Sequence, residues 1–265
     1  MILASALTSP LGLSIASALA YAAPALLSRR LSLRSAHWLV GLAWLLHGAV
    51  LAQGLLVAPA HFGFAPALSV TAWLVAAVYA VESLVYPQLP TRWTLSAIGA
   101  LAVLLAWAFP GNVLPQVASV WLPVHLAFGI ACYGLFGTAL VHAWFMGLAE
   151  QRIRHARDSH SGLPLLTLER LTYRFVGAGF VLLSATLVVG ILFGEAVYGH
   201  AVRWDHKTVF SVLAWICFAI LLVGRLRLGW RGRRASGLLY MGSFFLLLAY
   251  VGSRFVFEII LGRTP

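Results

Sequence analysis

Eight apolar stretches, each near the length a helix needs to cross a bilayer, follow one another along this chain with little sequence left between them. About 20 residues span the hydrocarbon core at a helical rise of 1.5 Å per residue. The stretches fall at roughly 2–28, 38–59, 68–87, 93–110, 119–147, 174–193, 208–225 and 237–258. The fold this predicts is all-α, a polytopic bundle of about eight transmembrane helices forming a single transmembrane domain over residues 1–265. Composition agrees: 62% of the residues are hydrophobic, 9% are charged and the mean hydropathy is +0.93. A soluble domain carries about a quarter charged residues.

The net charge of +11 would suit a nucleic-acid binder, but the arginines sit in short loops between apolar spans. That placement speaks for membrane topology and contact with anionic head groups, and against nucleic acid. Lys and Arg collect on the cytoplasmic side. If the first span is retained with its N-terminus outside, the inner boundary holds Arg29, Arg30, Arg34, Arg92, Arg152, Arg154, Arg157, Arg170 and Arg174. Arg225, Arg227, Arg231, Arg233 and Arg234 join them, making fourteen inside against Arg203, Lys207 and Arg263 outside. An even number of spans then leaves both termini extracytoplasmic. The first stretch could pass for a signal peptide at ASALAYAA, but no basic residue precedes it and basic residues follow it.

No loop is long enough for a separate catalytic domain, so the protein acts at or within the membrane. In the longest inner loop a Gly162–Pro164 break precedes a short amphipathic turn, expected to lie on the inner interface. Cys132 and Cys217 both fall inside spans with no CxxC partner, and are read as small packing residues. Zinc-type Cys/His spacing, a phosphate-binding glycine loop and a GxSxG elbow are all absent from the sequence.

Nine histidines sort by depth. His37, His142, His155 and His160 lie toward the inner side and read as interfacial. His47 stands mid-span, where an imidazole must find a partner inside the bundle; a hydrogen bond between helices is the expected role. Glu82, in the inner half of the third span, is expected to be protonated or paired with an inner arginine. Toward the outer side stand His61, His125, His200 and His206. His125 lies about 9 Å below the outer end of its helix, at 1.5 Å per residue. If spans five and seven are neighbours, His125 and His206 face one outer cavity, an arrangement able to ligate haem iron; solvated interfacial histidines are the alternative. Arg254 and Glu258, four apart, share a helix face at the depth of Asp205 and Lys207, and an outer ion-pair network is expected there.

Two blocks carry a family resemblance. HLAFGIACYGLF, starting at His125, is similar to the histidine-containing span of the cytochrome c assembly (CcsA-type) family of haem-handling membrane proteins. RWDHKTVFSVLAWICFAIL, followed by GWRGRRA, resembles the block that closes that family's tryptophan-rich motif. Trp204, Asp205, Lys207, Thr208, Trp215, Gly229, Trp230, Arg231 and Gly232 match it in spacing. The chain departs from the family where EAVYGHAV lacks the tryptophans ahead of the WD pair, and where His206 replaces a proline. The closing segment GSRFVFEIILGRTP has no histidine, and VGR stands where the span after the WD block usually ends in one. These departures resemble the compact eight-span YpjD-type and HemX-type branch.

The resemblance implies a haem-interacting bacterial inner-membrane protein related to cytochrome c biogenesis, or an accessory to it, with no covalent catalysis of its own. His125 would be an axial ligand to haem iron, with His206 or His200 opposite. The Trp204–Asp205 turn would cover the porphyrin, and Lys207 and Arg254 would take the propionates. Implied partners are the lipid bilayer, haem, and another membrane or cytochrome assembly protein. Two other readings remain: a non-haem scaffold or regulator of a partner membrane protein, and a transporter using His47 and Glu82. Against the transporter, the halves show no repeat and no pair of Gly/Pro-broken spans.

Overall fold

The computed structural model describes residues 10–27, 32–57, 59–85, 93–113, 121–154, 165–194 and 205–262. Its helices are α1 (Pro10–Leu26), α2 (Leu33–Leu56), α3 (Phe64–Val85), α4 (Trp93–Ala108), α5 (Trp121–Arg154), α6 (Leu165–Leu192), α7 (His206–Leu228) and α8 (Arg233–Leu247). Beyond α8 the same span continues through π-helical turns at Leu248–Gly252 and Val256–Ile260, with a short α-helical piece, Ser253–Phe255, between them. Two short strands, β1 (His61–Phe62) and β2 (Asn112–Val113), pair antiparallel, His61 opposite Val113 and Phe62 opposite Asn112.

Each expected span overlaps one helix. Among the described residues six stretches are long and apolar enough to cross a membrane, and Pro10–Pro24 and Leu95–Ala108 are shorter apolar helices. Leu45, Val181, Ile191, Leu226 and Ile260 point outward and are largely exposed. Such apolar exteriors suit hydrocarbon, where backbone groups must be satisfied within helices. The chain is an all-α, multi-pass membrane protein whose surroundings are the lipid bilayer.

One local expectation is corrected. The amphipathic turn placed on the interface is instead the start of α6, which begins at Leu165. Leu168, Leu171 and Thr172 are buried at helical spacing while Arg170 is exposed, so this stretch already has a packed face. Gly162–Pro164 lies outside the described residues.

The chain divides into two compact units. The first takes in Met1–Val81, Thr91–Pro115 and Arg254–Pro265. Here α1 packs against α2 and α4, with Tyr21, Ala43 and Val103 buried together. The second comprises Glu82–Pro90 and Gln116–Ser253. In it α5 packs on α6 and α8, α6 on α7, and α7 on α8, so α5 and α7 face one another across the core. They meet through Phe136 and Phe218, whose rings stack at 3.8 Å. Each ring is seated on a glycine of a third helix. A Cβ at Gly179 of α6 would come within 3.1 Å of Phe136, and one at Gly242 of α8 within 2.9 Å of Phe218. Small residues let aromatic rings fill the space between helices, which substitutes for the hydrophobic drive that lipid does not supply.

Candidate functional site

His125 lies a little over one turn into α5, half-buried, on the side turned to α6. It hydrogen-bonds the Thr186 backbone. A Cβ at Gly190 would stand 3.4 Å from its Cε1, so that glycine admits the ring to the α6 surface. One turn earlier Trp121 stacks on Phe193 at 3.8 Å and closes the same end of the α5–α6 pair. A backbone carbonyl holding one ring nitrogen fixes the tautomer and orients the ring, the usual support of a ligating histidine. His125 is thus among the residues that could hold a haem iron.

The WDHK turn is seen from Asp205 onward. Asp205 is the N-cap of α7, and its carboxylate accepts from the Thr208 backbone N–H at 2.9 Å. Burial raises the Asp205 carboxyl, but the hydrogen bonds from the Thr208 backbone and side chain, with the charges of Lys207 and His206, outweigh it. The group is held below the usual carboxylate range. His206 is the exposed first residue of the helix and Lys207 follows it. Spans five and seven, α5 and α7, are opposed across the four-helix core and meet through Phe136 and Phe218. His200 and Trp204 lie outside the described residues.

Arg254 and Glu258 do share a face, with Arg254 Nη1 at 3.7 Å from Glu258 Oε1. The Glu258 carboxylate also accepts from the Phe64 backbone, at the start of α3. This is a favourable place for a negative charge, because the first N–H groups of a helix lack helical partners. The approach is close: a Cβ on Gly63 would lie 2.8 Å from the Glu258 oxygens and 2.7 Å from Gly111 Cα. The aspartate expected in that network, Asp205, has its carboxylate committed to Thr208.

The GWRGRRA block builds more than a topology signal. Gly229 ends α7 at φ +64°, and the Trp230 N–H reaches back to the Gly224 carbonyl at 3.1 Å. Gly232 at φ +61° then starts α8. Both glycines supply left-handed backbone that other residues resist. Trp230 folds over Gly224, and its carbonyl accepts from the Tyr173 hydroxyl at 3.0 Å. Arg225 lies over the Tyr173 ring at 4.7 Å and pairs with Glu169 at 2.6 Å; Arg231 approaches the same oxygen at 3.3 Å. Trp215, another matched position, donates to Ser184 Oγ at 2.9 Å and joins α7 to α6.

A family model described as Cytochrome C assembly protein matches residues 34–261, taking in His125, the WDHK turn and the GWRGRRA block. The chain belongs to the cytochrome c assembly family. An uncharacterised 28.8 kDa protein of Azospirillum brasilense is 30% identical to it over 171 residues, 63% of each chain. Cytochrome c biogenesis protein CcsA of Prochlorococcus marinus is 26% identical over 55% of this chain and 53% of its own. Inner membrane protein YpjD of Escherichia coli is 27% identical over 62% of this chain and 63% of its own. The matches therefore span between about half and two thirds of these relatives' lengths. No solved structure matches.

In this family member one polar contact differs from the partner expected from sequence, and another agrees. Glu82 meets not an arginine but His142, with Nε2 2.9 Å from Oε2 and both side chains buried. His142 had been read as interfacial. The α5 helix runs on to Arg154, so the span extends past His142 and leaves it inside the packing. The signal was present as two ionisable residues in the inner halves of two spans, but pairing them needs the helix neighbours. His47 does what mid-span depth predicted: Nε2 lies 2.8 Å from Ser69 Oγ, and Tyr21 Oη 3.3 Å from Nδ1, linking α1, α2 and α3. Among the described residues there is no cluster of three or more His, Cys, Asp or Glu able to hold a metal ion.

Proposed function

We propose that the protein takes part in cytochrome c biogenesis as a haem-interacting protein of the bacterial inner membrane, binding or handing on haem without bond-making chemistry of its own. The observation that carries this reading is the family match over residues 34–261, which includes His125, set inside a span and held by a neighbouring helix's backbone. In this reading His125 would hold the haem iron together with His206 or His200. The Trp204–Asp205 turn covers the ring edge. Lys207 and Arg254 neutralise the propionates, which suits their charge and the preference of guanidinium for carboxylate. Haem, when bound, would contribute the iron and its redox couple; the chain contributes ligation, orientation and a low-dielectric wall. A cytochrome assembly protein is the expected partner, both termini are extracytoplasmic, and the chain works as one transmembrane domain.

The absorbance spectrum of protein purified after haem-replete expression tests this directly. A haem band is expected in the wild type and in His155→Ala, and a several-fold weaker one in His125→Ala. No band in any of them, or equal bands in all, overturns the ligand role.

A second reading is favoured by one feature. The closing span places the Arg254–Glu258 pair, and no histidine, where the family's last outer histidine is expected. A chain without that ligand fits a scaffold that keeps the bundle to stabilise a partner membrane protein, and the same spectrum separates the two.

A further inference from the structure

At the arginine-rich end of the second unit, a cavity of about 850 Å³ opens between the end of α5, the start of α6 and the turn from α7 into α8. It is of ligand size. Its floor is apolar, with Met146 and Leu165 partly exposed into it and Val176, Leu221 and Leu239 packed behind them in the core. Two of its walls carry glycines, Gly147 on α5 and Gly237 on α8, at which an added Cβ would meet nothing within 4 Å. The space is therefore open at both walls. Leu166 and Tyr240 also line it and are exposed on the outside of the bundle, where lipid chains run.

The charges on the lining select among occupants. Glu150, Glu169, Arg231 and Arg233 all line the cavity. Glu169 is held by Arg225 and Arg231, so these three form a closed group. That leaves Glu150 on α5 and Arg233 at the start of α8, neither of which has an ion-pair partner among the described residues. Arg233 also stands at a helix start whose N-cap, Gly232, offers no side-chain cap. The first N–H groups of α8 and the Arg233 guanidinium thus share a wall that favours a negative oxygen. Glu150, on the α5 part of the lining, favours a cation.

An apolar floor beneath one anion-seeking and one cation-seeking wall is complementary to a zwitterionic amphiphile. We propose that this cavity binds the head group of a phospholipid bearing a primary ammonium, of the phosphatidylethanolamine class. The phosphate sits at Arg233 and the α8 start, the ammonium at Glu150, and the upper acyl chains along Leu165, Leu166 and Tyr240. A primary ammonium donates N–H bonds to a carboxylate, and a trimethylammonium cannot. A charge-assisted bond of that kind is worth about tenfold in affinity. Haem touches none of these groups, so the site stands or falls separately from His125.

Native mass spectrometry of the full chain, titrated with palmitoyl-oleoyl phosphatidylethanolamine, phosphatidylcholine or phosphatidylglycerol, reads this out. Expected are one ethanolamine lipid retained about tenfold over choline lipid, loss of that preference in Glu150→Gln, and weaker retention of both in Arg233→Gln. Gly237→Trp fills the cavity without touching a charge and lowers retention of all three lipids. Equal retention of ethanolamine and choline lipids by the wild type overturns the proposal. So does a preference that survives Glu150→Gln, or phosphatidylglycerol retained above both.

Discussion

The Nε2 atom of His142 lies 2.9 Å from Oε2 of Glu82, and burial of both side chains makes this contact between α3 and α5 the carboxylate's means of entering a span. A lone carboxylate in hydrocarbon is costly, and an imidazole partner offsets much of that cost. The ring is fixed in turn by Phe175 of α6, edge to face at 5.4 Å. The pair acts as a polar fastener in an otherwise apolar packing layer.

Removing one member should hurt more than removing both. Glu82→Ala or His142→Ala is expected to cost about 3 kcal/mol, because each leaves a buried polar group without its partner. Glu82→Leu combined with His142→Leu should recover most of that loss. Denaturant unfolding in micelles gives the double-mutant cycle, and additive single effects would refute the pairing.

Asp205 gives the start of α7 a pH dependence. Its folded-state pKa is depressed, so its stabilising contribution is present above the unfolded value of about 3.9 and fades as the pH falls through the lower folded value. Asp205→Ala should cost about 1 kcal/mol at neutral pH, the usual size of an N-cap. The protection factor of the Thr208 amide, its exchange taken relative to the intrinsic rate at each pH, should fall on acidification in the wild type and already be low at pH 7 in the variant. A wild-type profile unchanged by acid would speak against the cap.

Gly224→Ala is a packing test of the GWRG turn. Its Cβ would run into the Trp230 ring, and overpacking of this kind costs about 1–3 kcal/mol. The displaced Trp230 should also release Tyr173 from its carbonyl. A shift in tryptophan emission together with a lower unfolding midpoint is the expected pair of results, whereas an unshifted spectrum would mean that the ring has room.

Topology can be checked without purification. A reporter fused after Thr264 should read as extracytoplasmic and one inserted near Ser159 as cytoplasmic, following the fourteen-to-three bias of basic residues. The reverse pattern would invert every depth assigned to the histidines.

The broad architecture was legible because span length and apolarity are properties of single segments. His47 was legible for the same reason, since depth alone demanded a partner and Ser69 and Tyr21 provide it. The partner of Glu82 was not legible, because a residue sixty positions away becomes a neighbour only through helix packing. The arginines after α7 were read for their charge. Their second use, holding Glu169 and framing Tyr173, depends on two left-handed glycines whose effect is to fold the chain back on itself. His125 and His206 take their depths from position along their own spans. Whether their helices stand side by side or across a core is a matter of packing order, which no periodicity encodes.

The two π-helical turns in the closing span carry an evolutionary corollary. A π turn accommodates one more residue than the α-helical turn it replaces, so Leu248–Gly252 and Val256–Ile260 each hold a residue that an α-helix of the same path could do without. Deleting one residue from Leu248–Gly252 would relax that turn to α-helix and leave Arg254 and Glu258 four apart. A deletion within Val256–Ile260 ahead of Glu258 would change their spacing, and one in the α-helical part would turn the pair as a unit relative to the helix before it. The first wide turn can therefore absorb a length change during divergence while the charged pair keeps both its spacing and its direction.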